Sequence, residues 1–99
     1  MIRHIVFFKF KPGTSEEEKN KLASDLKSLK GKIPLINRLE IGVDIGKKQN
    51  SSDLALIVDF NTWEDVESYG EHPAHIEVIK FIKDICQNHS KVDYEAHVS

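Results

Sequence analysis

Apolar and polar residues alternate along several short stretches of the chain. The alternation covers residues 2–11 and residues 38–45, and it returns at residues 92–98. Residues 54–60 are apolar at nearly every position, which is typical of a strand with both faces buried. A period of two predicts β-strands at the first three places, and the continuous apolar run predicts a buried strand at residues 54–60.

Between these strands the apolar residues recur at helical spacing. The first predicted helix covers residues 15–30 and opens with the capping-box sequence SEEE. The second covers residues 62–69 and is broken by Gly70, and the third covers residues 73–88. Cys86 falls within the apolar stripe of the third helix, so we expect it to be buried.

The order β-α-β-β-α-β predicts an α+β fold of the ferredoxin-like class, with a four-stranded antiparallel sheet and its helices on one face. We expect a single domain over residues 1–99. The first and third strands carry apolar residues on both faces, and Ile5, Phe7, Ala55 and Ile57 belong to one of these faces. Helices can cover only one face, so we predict a homodimer formed through the sheet faces.

Composition and charge exclude two classes of function. The 99 residues include 30% charged residues of both signs, interspersed along the chain, and the net charge is −2. This balance argues against a nucleic-acid-binding protein, and no apolar run is long enough for a membrane span. The single cysteine, Cys86, has no partner for an internal disulfide, so we expect a cytoplasmic protein with an inert, buried thiol.

The sequence YGEHPAH, residues 69–75, contains the candidate residues for acid–base chemistry. A histidine takes up a proton near neutral pH, and a phenol can donate a hydrogen bond to a developing enolate. His75 as general base and Tyr69 as its partner would suffice for proton abstraction beside a carbonyl. His4 and His72 are candidate ligand-binding residues of the same pocket.

The same residues also have a structural interpretation. Tyr69 could be a core aromatic residue, His72 could cap the helix that follows it, and His75 could donate to a backbone carbonyl. A metal site would need His72 and His75 together with a third ligand such as His4 or Asp59. The chain has no cysteine partner and no clear carboxylate cluster for such a site, so we expect no metal.

The segments HIVFFKFKPG, DLALIVDFNTWEDVESY and HPAH resemble the stress-responsive dimeric α/β barrel (Dabb) family over essentially the whole chain. The resemblance implies that two ferredoxin-like subunits join sheet to sheet. Tyr69 and His75 are spaced like the acid–base pair of a plant member, olivetolic acid cyclase, which folds a linear polyketide without metal or organic cofactor. The resemblance therefore implies that His75 is the base and that Tyr69 orients it or binds the carbonyl.

Three functions remain open at this point. We favour a stress-responsive barrel that is non-catalytic or binds a small hydrophobic molecule. The alternative is a cofactor-free cyclase or isomerase that uses Tyr69 and His75. The third is a haem-handling or oxygen-using barrel of the related monooxygenase type. A cavity that reaches Tyr69 and His75 would favour binding or catalysis, and a filled core there would favour a purely structural barrel.

Overall fold

The computed structural model describes residues 1–97 as a four-stranded antiparallel sheet with its helices on one face. In chain order the elements are β1 (Ile2–Phe10), α1 (Glu16–Lys32), β2 (Arg38–Val43), β3 (Leu54–Phe60), α2 (Trp63–Glu71), α3 (Pro73–Ile85) and β4 (Cys86–Glu95). The strands lie in the order β2-β3-β1-β4. This is the predicted ferredoxin-like fold. Among the described residues, no helix has both the length and the apolar character that crossing a bilayer requires.

Side-chain caps fix the starts of α1 and α2, as the sequence predicted. The Ser15 hydroxyl accepts from the Glu18 backbone N–H at 3.1 Å, and the Glu18 carboxylate accepts from the Ser15 N–H at 3.0 Å. Thr62 accepts in the same way from the N–H of Asp65 at 3.2 Å. Each cap satisfies backbone donors that have no partner inside the helix.

The predicted break of α2 at Gly70 is wrong, because the helix runs on to Glu71. The proline at position 73 ends it instead. Proline disfavours a helical conformation in the residue before it, and His72 is extended with ψ at 134°. A single glycine within a helix costs only about 1 kcal/mol, which packing can offset.

The predicted end of the third helix is also wrong. Helix α3 stops at Ile85, whose carbonyl accepts from the N–H of Lys11 at 2.8 Å. Cys86 has an extended backbone and opens β4, where it pairs with Phe10. Strand β4 therefore begins six residues before the predicted one and ends at Glu95, while residue 98 of the predicted strand lies outside the described residues.

The core lies between the helices and one face of the sheet. Strands β1 and β3 contribute alternate residues to it, and α1 contributes three leucines that are at most 2% exposed. The buried members from these three elements are Val6, Phe8, Leu22, Leu26, Leu29, Leu54, Leu56, Val58 and Phe60. The helices therefore cover the face to which the even-numbered residues of β1 and β3 point.

No element of the described chain covers the other side of the sheet, which we call the open face. Its apolar residues come from the three strands β1, β3 and β4, and they are Ile5, Phe7, Ala55, Ile57, Val92 and Tyr94. Phe7, Val92 and Tyr94 are 45%, 46% and 40% exposed. Contiguous apolar patches of this kind commonly mark interaction surfaces.

Candidate functional site

Tyr69 lies at the centre of the candidate site, on the last turns of α2. Its side chain is 2% exposed and packs against Phe60 with 5.0 Å between ring centroids. The hydroxyl is buried and has no hydrogen-bond partner within residues 1–97. Burial raises the pKa of Tyr69 above the ordinary value of a phenol, so the hydroxyl remains a protonated donor at neutral pH.

His75 lies in the first turn of α3, with its ring centroid 4.4 Å from that of Tyr69. Its Nδ1 is 3.1 Å from the carbonyl oxygen of Gly70. A carbonyl only accepts, so Nδ1 carries the proton and Nε2 keeps its lone pair in the neutral ring. Burial is the main cause that lowers the pKa of His75; the bond to the Gly70 carbonyl opposes this shift, and nearby His4 and Lys91 add to it. His75 is therefore a neutral base at neutral pH.

His4 reaches the same place from β1. It is 7% exposed, and its ring meets Tyr69 edge-on with 5.9 Å between centroids. Its Nδ1–H donates to the Asp93 carboxylate on the adjacent strand β4, at 2.5 Å. The carboxylate fixes the orientation of the imidazole and occupies its Nδ1.

A cavity of about 190 Å³ joins these side chains. It contacts His4, Tyr69 and His75, and it reaches the exposed residues His89 and Lys91 of β4. Its remaining wall is apolar apart from the backbone of Gly70 and consists of Val6, Phe8, Leu26, Leu56, Val66, Val78, Ile79 and Ile82. The cavity thus runs between sheet and helices and opens beside β4.

His72 is the one predicted site residue that does not line this cavity. It lies between α2 and α3, where its Nδ1 accepts from the N–H of Ala74 at 3.1 Å. The ring acts as the N-cap of α3, and Pro73 occupies the first position of that helix. The structure therefore brings together three of the four predicted residues and places the fourth at a helix start.

The sequence reasoning missed the contribution of β4 to the site. Asp93 fell in the strand predicted for residues 92–98, which was judged by its apolar residues, and His89 and Lys91 fell between that strand and the helix predicted to end at residue 88. Their own alternation is the signal that could have found them. All three lie on one face of β4, while Ser90, Val92 and Tyr94 lie on the other.

Within residues 1–97, no group of three or more histidine, cysteine, aspartate or glutamate side chains is placed to hold a metal ion. Asp59, considered above as a third ligand, is 1% exposed and is held by Arg3. The Arg3 guanidinium donates to both carboxylate oxygens, at 2.9 and 3.1 Å. Successive side chains along β3 point to opposite faces of the sheet, so Asp59 lies on the face opposite to that of Val58 and Phe60.

The model of one protein family, the stress responsive A/B barrel domain, matches residues 2–96. The chain belongs to this family. A protein of the same family from Mesorhizobium loti is described as having a ferredoxin-like fold, which agrees with the arrangement of sheet and helices described above. No curated protein matches the chain significantly in sequence.

Solved structures of the same fold cover almost the whole chain. A dimeric ferredoxin-like protein of unknown function from Bacteroides fragilis is 29% identical, with a TM-score of 0.83, over 96% of this chain and 95% of its own. The Arabidopsis thaliana protein At3g17210 is 22% identical, with a TM-score of 0.88, over 100% and 98%. A hydroxynitrile lyase from Passiflora edulis is 20% identical, with a TM-score of 0.88, over 99% and 94%. The last two comparisons show the fold alone.

Proposed function

We propose that this protein is a small-molecule-binding barrel whose ligand accepts a hydrogen bond from Tyr69. Two observations carry the proposal: Tyr69 lines the cavity, and its buried hydroxyl has no hydrogen-bond partner within residues 1–97. Leaving a buried donor without an acceptor costs about 1–3 kcal/mol, and native proteins contain few such groups. A carbonyl or similar oxygen on a bound molecule would supply the acceptor.

The size of the cavity limits the ligand. Its 190 Å³ is below the roughly 300–1,000 Å³ that drug-sized molecules occupy. In another protein, an engineered apolar cavity of about 150 Å³ binds benzene. A single-ring or short-chain molecule with one oxygen acceptor therefore suits this space, and its apolar wall favours a hydrophobic body.

Acetophenone, an aromatic ketone with one ring, is a suitable probe. We expect it to shift the amide resonances of cavity residues in a titration of ¹⁵N-labelled protein. Tyr69→Phe should weaken binding by roughly 2- to 12-fold, which is the net worth of one hydrogen bond. Tyr94→Phe is the matched control on the open face and should leave the affinity unchanged. Absence of binding, or equal effects of the two variants, would contradict the proposal.

Acid–base catalysis is the second candidate, favoured by the neutral His75 beside the protonated Tyr69. Nε2 of His75 would take a proton from the carbon next to a carbonyl. The electron pair of the broken C–H bond would form the enolate, whose oxygen would accept from the Tyr69 hydroxyl. The spacing of this pair is similar to that in olivetolic acid cyclase, so the reaction class would be an aldol-type cyclisation or an isomerisation.

Exchange of the methyl protons of acetophenone in D₂O tests this second candidate without knowledge of the natural substrate. A catalytic His75 should accelerate exchange, and His75→Gln should lower the rate by roughly 10²–10⁴, the usual worth of a general base. If acetophenone binds but does not exchange faster than in buffer, the protein is a binder and not a proton-transfer enzyme of this class.

We also propose that the protein is a homodimer whose two open faces are packed together. The apolar residues of the open face support this arrangement, and the relative from Bacteroides fragilis is described as dimeric. We place the protein in the cytoplasm, because its single cysteine, Cys86, is a buried thiol with no disulfide partner in the chain.

A further inference from the structure

The ionisable side chains that line the cavity are all neutral or basic. They are His4, Tyr69, His75, His89 and Lys91, and no aspartate or glutamate is among the lining residues of the described chain. The chain as a whole has a net charge of −2, so the cavity differs in sign from the molecule that contains it. A site lined by one sign of charge with low-dielectric walls attracts ligands of the opposite sign.

Lys91 is the source of this positive charge. It pairs with Val6 across β1 and β4, so its side chain lies on the cavity side of the sheet. Among residues 1–97 it forms no salt bridge. The nearest carboxylate on its own strand face, Asp93, accepts from His4. The ammonium group of Lys91 is therefore free to pair with a ligand at the opening of the cavity.

We propose that the cavity takes a small organic anion, a carboxylate joined to a short apolar or single-ring body. The carboxylate would lie at the opening beside Lys91, with His89 next to it. The body would pack against the apolar wall, and an oxygen atom would accept from Tyr69. This inference rests on the small-molecule-binding function proposed above and adds the charge of the ligand.

Benzoate and acetophenone form a test pair, because they match in size and differ in charge. Each is titrated into ¹⁵N-labelled protein at neutral pH and low salt. We expect benzoate to bind about fivefold more tightly, the upper end of what an exposed charge pair contributes. Lys91→Gln should abolish this preference. Lys27→Gln removes the same charge from an exposed position on α1, away from the cavity, and should preserve it.

Salt gives an independent readout. Raising the ionic strength to about 1 M shortens the screening length to roughly 3 Å, so the preference for benzoate should shrink while acetophenone binding stays nearly constant. Equal affinities for the two probes, or equal losses in Lys91→Gln and Lys27→Gln, would overturn the anion inference and leave the binding function standing. If neither probe binds to the folded wild-type protein, both proposals fail.

Discussion

The imidazole of His75 lies 4.4 Å from the phenol ring of Tyr69, centroid to centroid, although the two residues belong to different helices. The extended His72 and the proline after it turn the chain between α2 and α3. The carbonyl of Gly70, near the end of α2, accepts a hydrogen bond from His75 in α3. A short inter-helix turn thus places a donor and a base on one wall of the cavity.

Replacing His75 distinguishes a functional residue from a structural one. Its only hydrogen bond within residues 1–97 is to the Gly70 carbonyl, and that bond lies at an exposed position where water can take its place, although the ring itself is partly buried. We therefore expect His75→Ala to change the free energy of unfolding by less than about 1 kcal/mol. Urea denaturation checks this. A loss of about 1–3 kcal/mol would show that the ring satisfies a buried carbonyl and serves the fold.

The lowered pKa of His75 predicts how stability depends on pH. Between the two pKa values the unfolded chain binds a proton that the folded protein does not. The free energy of unfolding should therefore fall as the pH drops below about 6.5, the unfolded value, and this contribution levels off below the folded pKa. His75→Gln should show a shallower fall between pH 7 and pH 5. His97→Gln, at an exposed position, should follow the wild type. Equal slopes for all three proteins would contradict the lowered pKa.

His72 should matter for stability and not for ligand affinity. Its ring accepts from the backbone N–H of Ala74 and does not line the cavity. His72→Ala should cost about 0.5–2 kcal/mol, the worth of an N-cap, and His72→Asn should restore most of it. Thermal unfolding and an acetophenone titration of both variants test this. If the His72→Ala protein folds but binds acetophenone much more weakly, His72 contributes to ligand binding and the prediction is wrong.

A charge on the open face should separate the proposed dimer. Phe7→Lys would bury an unpaired ammonium group at the contact, which costs several kcal/mol. Ile76→Lys is the matched control, because Ile76 on α3 is 46% exposed and Phe7 is 45% exposed. Light scattering at micromolar concentration should give a monomer for the first variant and a dimer for the second. A monomeric wild-type protein would refute the assembly.

Much of the fold follows from the sequence because its signals are local and consistent. The capping box at Ser15, the alternation in β1 and the continuous apolar run of β3 each agree with the structure that forms there. The end of α3 does not follow in this way. Cys86 continues the apolar spacing of the helix, and only pairing with β1 makes it the start of a strand.

The site could be predicted only in part, for a related reason. Tyr69 and His75 are close in sequence, so a single turn explains their proximity. Asp93 reaches His4 only through the pairing of β1 with β4, and residues 87–90 of that edge strand are all polar and exposed. A run of exposed polar residues within a strand gives little apolar periodicity.

The unfolding free energy of Tyr69→Phe, with and without acetophenone, tests the central claim most directly. If the hydroxyl is kept for a ligand, its removal relieves an unsatisfied buried donor. Without ligand, the variant should then be at least as stable as the wild type, and its free energy of unfolding should be higher by up to about 1–3 kcal/mol. Added acetophenone should stabilise it less than the wild type, because stabilisation by a ligand follows its affinity. A variant that is destabilised by more than about 1 kcal/mol and gains as much from acetophenone as the wild type would contradict the account.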